Sequence, residues 1–146
     1  MSRAHRIGIA ASVVGVLISA FILGEKIGIF PEVCGPAWGP FGGCKTVEAS
    51  QWSSIGPIPI AAIGLVGSLV LLVAAYVHAR TKREEALAIW LLAGIAGSAI
   101  EIALILIQAL FIGEWCGKCL LYGATVLIGA AAAISASLAY ARSTRA

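Results

Sequence analysis

Charge is scarce in this chain of 146 residues: only 12% are Asp, Glu, Lys or Arg, whereas 60% are hydrophobic. Soluble domains carry about 25% charged and roughly 45–50% apolar residues. A domain of this size still leaves about a third of its surface in water, so it could not hide that much apolar surface. A soluble enzyme and a disordered segment are excluded together. The net charge of +3 is small and dispersed, which argues against nucleic acid as a partner. Repeats, low-complexity tracts and linkers are missing as well, so residues 1–146 read as a single domain. Mean hydropathy is +1.00, and the solvent such a composition suits is membrane lipid.

A spanning helix needs about 20 mostly apolar residues. Four segments qualify, about 7–24, 57–77, 86–113 and 120–141. None alternates with a period of two, so an all-α, four-helix transmembrane bundle is expected rather than a barrel, the only other solution in lipid. Gly64, Gly67 and Ser68, with Gly94, Gly97 and Ser98, are read as helix-packing positions. The basic residues Arg3, Arg6, Arg80, Lys82, Arg83, Arg142 and Arg145 flank the spans on one side. The positive-inside rule then puts both termini in the cytoplasm of a multi-pass cell-membrane protein. The first span is read as a retained helix rather than a cleaved signal, because Ser19-Ala20 makes a poor cleavage site.

The outer loop, about 25–56, is the one long connection. Its first half carries the breakers Pro31, Gly35, Pro36, Gly39, Pro40, Gly42 and Gly43. Its second half, Thr46 to Ile55, is expected to form a short interfacial helix with Trp52 at headgroup level. The middle loop, His78 to Glu85, reads as a simple turn.

All four cysteines fall on the outer side: Cys34 and Cys44 in the loop, Cys116 and Cys119 as a C-x-x-C at the mouth of the last span. That is the compartment where disulfides persist. At a helix start, residues i and i+3 share a face, and the helix N-terminus lowers a thiol's pKa. Lys118 beside Cys119 is expected to add to this effect, and Trp115, Leu120 and Leu121 to supply an apolar wall. One pair bordering lipid and one exposed to water suggest a relay by thiol–disulfide exchange. Two other readings are a pair of structural staples and a zinc site. Nine residues between the loop cysteines argue against zinc, and no metal is expected.

In these features the chain resembles the vitamin K epoxide reductase family, its bacterial and archaeal members included. The likeness extends over nearly the whole chain: four spans, a loop cysteine pair and C-x-x-C at the last helix. Cys44 followed by Ser50 and Trp52 is similar to the family's cysteine–serine–tryptophan run, and Gly56-Pro57-Ile58-Pro59-Ile60 to its Gly-Ile-Pro stretch. The resemblance implies a quinone-dependent thiol–disulfide oxidoreductase. It implies that Cys119 faces a ubiquinone- or menaquinone-type acceptor and that Cys116 exchanges with Cys44. Cys34 would be attacked by a thioredoxin-like, DsbA-like partner, soluble or tethered. Ser50 is carried over as a hydrogen-bonding residue near the quinone. The resting pairs, Cys34–Cys44 with Cys116–Cys119 or a crossed Cys44–Cys116, stay open.

There are departures. Ile60 stands where the animal enzymes have an asparagine contact, and Tyr122 is displaced by one position from the family's tyrosine. These favour disulfide formation, akin to DsbB although with the tight and wide cysteine pairs reversed, over the alternative of vitamin K quinone or epoxide reduction. A non-catalytic, disulfide-stapled membrane protein is the alternative from another class.

Other residues are weighed beside these. Glu101 lies at membrane depth, where a carboxyl is a functional hypothesis by default. Counted along the helix it is roughly 22 Å from Cys116, so a protonated Glu101 bonded to a neighbouring helix is expected. Gln108, nearer the mouth, is a candidate quinone contact, as are Trp52, Trp115 and Tyr122. Trp38 fits interface anchoring. His5 and His78 are expected to be solvated near the cytoplasmic face.

Overall fold

The computed structural model describes residues 1–34 and 36–146; Gly35, one of the loop breakers, lies outside them. Four long apolar helices form the body, each able to cross a membrane by length and composition. They are α1 (Arg3–Lys26), α3 (Ile60–Thr81), α4 (Glu84–Ile107) and α5 (Gly117–Arg145), with a short α2 (Cys44–Ala49) in the outer loop. Around the bundle α1 packs against α3 and α5, and α4 packs against the same two. Large apolar side chains cover the outside, Val66, Leu92, Leu110 and Phe111 among them. This is the inverse of a soluble protein and suits a hydrocarbon solvent.

The helix ends follow local chemistry. The second span starts at Ile60 rather than Pro57, because a turn at Gly56 and a two-residue hairpin, β1 (Ser54–Ile55) against β2 (Ile58–Pro59), come first. The helix expected over Thr46 to Ile55 is shorter and begins earlier. It comprises α2, and is followed by a 3-10 turn at Gln51–Ser53. Breaker-rich Pro36–Phe41 also winds as a 3-10 segment, interrupted at Gly39. Glu84 and Glu85 open α4, and Arg142 and Arg145 close α5, each sign of charge matching the helix dipole. Of the expected packing positions, Gly64 faces Tyr122, Gly94 faces Ala130 and Gly97 faces Val126, while Gly67 has open space.

The end carrying the termini has a core of Leu71, Ala74, Ala75, Leu87, Trp90, Ala132, Ala133 and Ala136. The histidines at this end are not solvated as expected. His5 and His78 are buried and share a hydrogen bond of 2.8 Å between Nε2 and Nδ1. His5 sits on α1 and His78 on α3, and the side-by-side packing of those helices turns both rings inward, with His5 beside Trp90 and His78 beside Tyr140. Replacing His78 by alanine leaves a cavity and an unpaired His5 nitrogen. The expected loss is about 2–4 kcal/mol, read by thermal unfolding in detergent; a loss under about 1 kcal/mol would contradict this account.

Candidate redox site and its cavity

The opposite end gathers the cysteines. Cys34 is bonded to Cys44 and Cys116 to Cys119, with Cα separations of 5.9 and 5.2 Å. Cys34, Cys44 and Cys116 form one buried cluster, with Val47 and Cys119 packed against it. The water-exposed loop pair expected above is therefore corrected: Cys34 is 8% exposed and Cys44 not at all. The reason lies in the backbone. Gly43 N–H donates to the Trp115 carbonyl at 2.9 Å, and Gly42 pairs with Cys116 as a bridge. These contacts seat the loop on the C-x-x-C, and Trp38 closes over Gly117. Trp38 thus covers the C-x-x-C as well as facing outward.

Cys116 is the N-cap of α5, and its sulfur accepts the Cys119 N–H at 3.3 Å. The helix N-terminus therefore acts on Cys116, where its partial positive charge favours the thiolate. Before it, α4 ends in a wide turn, Gln108–Ile112, in which Gly113 N–H donates to the Gln108 carbonyl at 2.8 Å. Gly113, at φ 72°, reverses the chain; a side chain would resist that conformation. Cys116 N–H then donates to Gln108 Oε1 at 2.9 Å, so the C-x-x-C lies level with Gln108 rather than beyond the helix end.

Lys118 is not the free cation expected beside the thiols. It is buried in an ion pair with Glu25 of α1, and its Nζ lies 3.1 Å from Glu48 Oε1 on α2. Two carboxylates meet one ammonium, so the positive charge is more than offset. Burial raises the Glu48 pKa above its ordinary value, against the lowering pull of Lys118. Glu25 also accepts the Val33 N–H at 2.9 Å, one residue before Cys34, and so joins the loop pair to the C-x-x-C. Lys26 adds hydrogen bonds to the Glu48 carbonyl at 2.6 Å and to Ser53 at 3.1 Å. Sequence reasoning missed Glu25 and Glu48 in these roles. The one available signal was a cluster of opposite charges flanking spans in a chain with very little charge.

Beneath the cysteines opens a mostly apolar, open-mouthed cavity bordered by Cys119. Ser50, Trp52, Gln108 and Tyr122, all singled out from sequence, line it together with Ile60 and Glu101. Trp115 is not among its lining residues; its main chain holds Gly43 instead. Trp52 lies against Phe111, ring centroids 5.7 Å apart. Tyr122 donates its hydroxyl proton to the Gly64 carbonyl at 2.8 Å and accepts from Ser68 at 3.1 Å.

The profile of the Vitamin K epoxide reductase family matches residues 6–142. The chain belongs to the vitamin K epoxide reductase family. Members of this family are membrane oxidoreductases that use quinones, so this member is a multi-pass membrane protein with redox chemistry. No individual curated protein and no solved structure matches the chain. The cavity's apolar walls with few polar groups are the usual lining of a small-molecule site.

Proposed function

We propose that the protein is a thiol–disulfide oxidoreductase that passes electrons from a thioredoxin-like partner through Cys34–Cys44 to Cys116–Cys119 and on to a quinone, supporting disulfide formation. Its termini face the cytoplasm and its cysteines the outer side, a reading supported by the distribution of basic residues. The observation that carries the reading is the placement of two sulfurs: Cys119 borders the cavity, while Cys116, bonded to it, packs against Cys44. Ile60 in the cavity wall offers no polar contact of the kind the animal enzymes use, which favours this role over epoxide reduction.

The steps follow from which sulfur is next to which. A partner thiolate attacks Cys34, the less covered of the loop sulfurs, and frees Cys44. Cys44 attacks Cys116, breaking the Cys116–Cys119 bond and releasing a Cys119 thiolate beside the cavity. The partner's second thiol displaces Cys34, which attacks Cys44 and restores the loop disulfide. Cys116 leaves as a thiolate, stabilised by the Cys119 N–H. A bound quinone supplies the acceptor for two electrons and two protons.

The test uses protein purified in detergent with decylubiquinone or menadione, and either a reduced thioredoxin-like protein or dithiothreitol as donor. Quinone absorbance is followed. Cys34→Ala and Cys44→Ala are expected to fall to background with the protein donor and to keep turnover with dithiothreitol. No turnover by wild type with either quinone, alongside cysteine variants that lose only stability, would return the disulfides to the role of staples.

A further inference from the structure

We infer that Glu101 is a catalytic residue, an acid that gives a proton to the quinone reduced at Cys119. This rests on the function proposed above and deepens it. Counting along α4 places Glu101 far from the cysteines, but the chain reversal at Gly113 brings α5 back down beside α4. Glu101 Oε2 ends 3.0 Å from the position a side chain on Gly123 would take. Gly123 is one turn of α5 from Cys119, about 5.4 Å along the axis. The carboxyl and the sulfur therefore border one cavity. Nor does Glu101 bond to a neighbouring helix as expected: among the described residues it has no hydrogen-bond partner, only burial.

The other proton-bearing side chains of the cavity are committed. Tyr122 donates to the Gly64 carbonyl, Ser19 to the Gly15 carbonyl at 2.7 Å, and Ser50 to the Val47 carbonyl at 2.7 Å. Lys26 is held by the Glu48 carbonyl and Ser53, Ser53 donates to the Ser50 carbonyl at 2.9 Å, and the Glu48 carboxylate is paired with Lys118 at 3.1 Å. Gln108 can orient a carbonyl oxygen through its amide but has no transferable proton. A polar group buried without a partner is costly, and a carboxyl in a membrane span more so. A ligand oxygen in the cavity supplies the missing partner.

The chemistry balances. When the Cys116 and Cys119 thiols close into a disulfide they yield two electrons and two protons. Glu101, in its neutral form, gives its proton to one quinone oxygen and recovers one of the two protons from the thiols. The other proton goes to the second oxygen, so quinol forms and Glu101 is unchanged over the cycle.

Two readouts test this with the full-length protein. Infrared difference spectra on adding decylubiquinone to oxidised wild type, with no thiol present, are expected to show a perturbed carboxylic C=O stretch that is absent in Glu101→Gln. With dithiothreitol as donor, Glu101→Gln is expected to lower kcat about 10- to 100-fold while KM stays within about twofold. Thermal unfolding checks its folding. Should it fail to fold, Glu101→Asp keeps the acid but shortens its reach, and is expected to lower kcat and shift the infrared band. A folded Glu101→Gln with wild-type kcat, an unperturbed carboxylic band in wild type, or a Glu101→Asp unchanged in both would overturn the assignment. Wild type reducing neither decylubiquinone nor menadione would instead overturn the proposed function itself. Failure of the Glu101 assignment alone leaves wild-type turnover intact.

Discussion

Cys119→Ser is expected to abolish quinone reduction, by about 10⁴-fold or more, with either a protein or a small-thiol donor. Serine cannot form a disulfide, and Cys119 is the one cysteine that borders the cavity. The loss should have a signature. Cys116 keeps its contact with Cys44 but no longer has a partner within its own motif. Thiol oxidation of Cys119→Ser should therefore accumulate a Cys44–Cys116 bond, visible as linked peptides by mass spectrometry without reductant. Cys116→Ser should lose activity equally and trap no such bond, because Cys116 is the sulfur that reaches the loop. Equal trapping in the two variants, or a residual rate in Cys119→Ser above about a tenth of wild type, would contradict the assigned order of sulfurs.

The second large effect concerns stability. Lys118→Met keeps most of the side chain's volume but leaves Glu25 and Glu48 buried together without a cation. Breaking a buried ion pair from one side costs about 3–5 kcal/mol, and that loss is expected near pH 8. The pH dependence has a definite sign. Burial raises the Glu48 pKa from its ordinary 4.5, so the folded state holds that proton more tightly than the unfolded state. The group's contribution to stability is therefore fully present below about pH 4.5 and is lost as pH rises through the raised folded value. In wild type Lys118 opposes this rise; in Lys118→Met nothing does. The variant should regain stability on moving from pH 8 to pH 5 by more than wild type does, in thermal unfolding followed in detergent. A variant as stable as wild type at pH 8 would mean that the cluster does not hold the loop.

The spans and the cysteines were legible because both signals are local: runs of apolar residues, and a C-x-x-C bounded by an aromatic and a helix. What escaped was whatever depended on chain reversal or on distant partners. Glu101 was misplaced because distance was counted along a straight helix, while the wide turn at Gln108–Ile112 and Gly113 folds the C-x-x-C back on α4. Lys118 looked free because Glu25 and Glu48 are far from it in sequence and meet it only through packing. Trp115 was chosen for adjacency to Cys116, yet side-chain direction, not adjacency, decides what lines a cavity. A place near the cytoplasmic face suggests solvated His5 and His78, although helix faces decide burial.

The neighbours of α1 carry a consequence for how the protein is made. It packs on α3 and α5, and α5 leaves the ribosome after the other three spans. Cys34 and Cys44 are thus synthesised, and can be oxidised, well before Cys116 exists. Until α5 inserts, α1 lacks one of its two neighbours and Glu25 has no Lys118 to meet. A nascent chain can carry its loop disulfide yet has no route from it to the lipid phase. On the relay proposed above, insertion of α5 makes that connection.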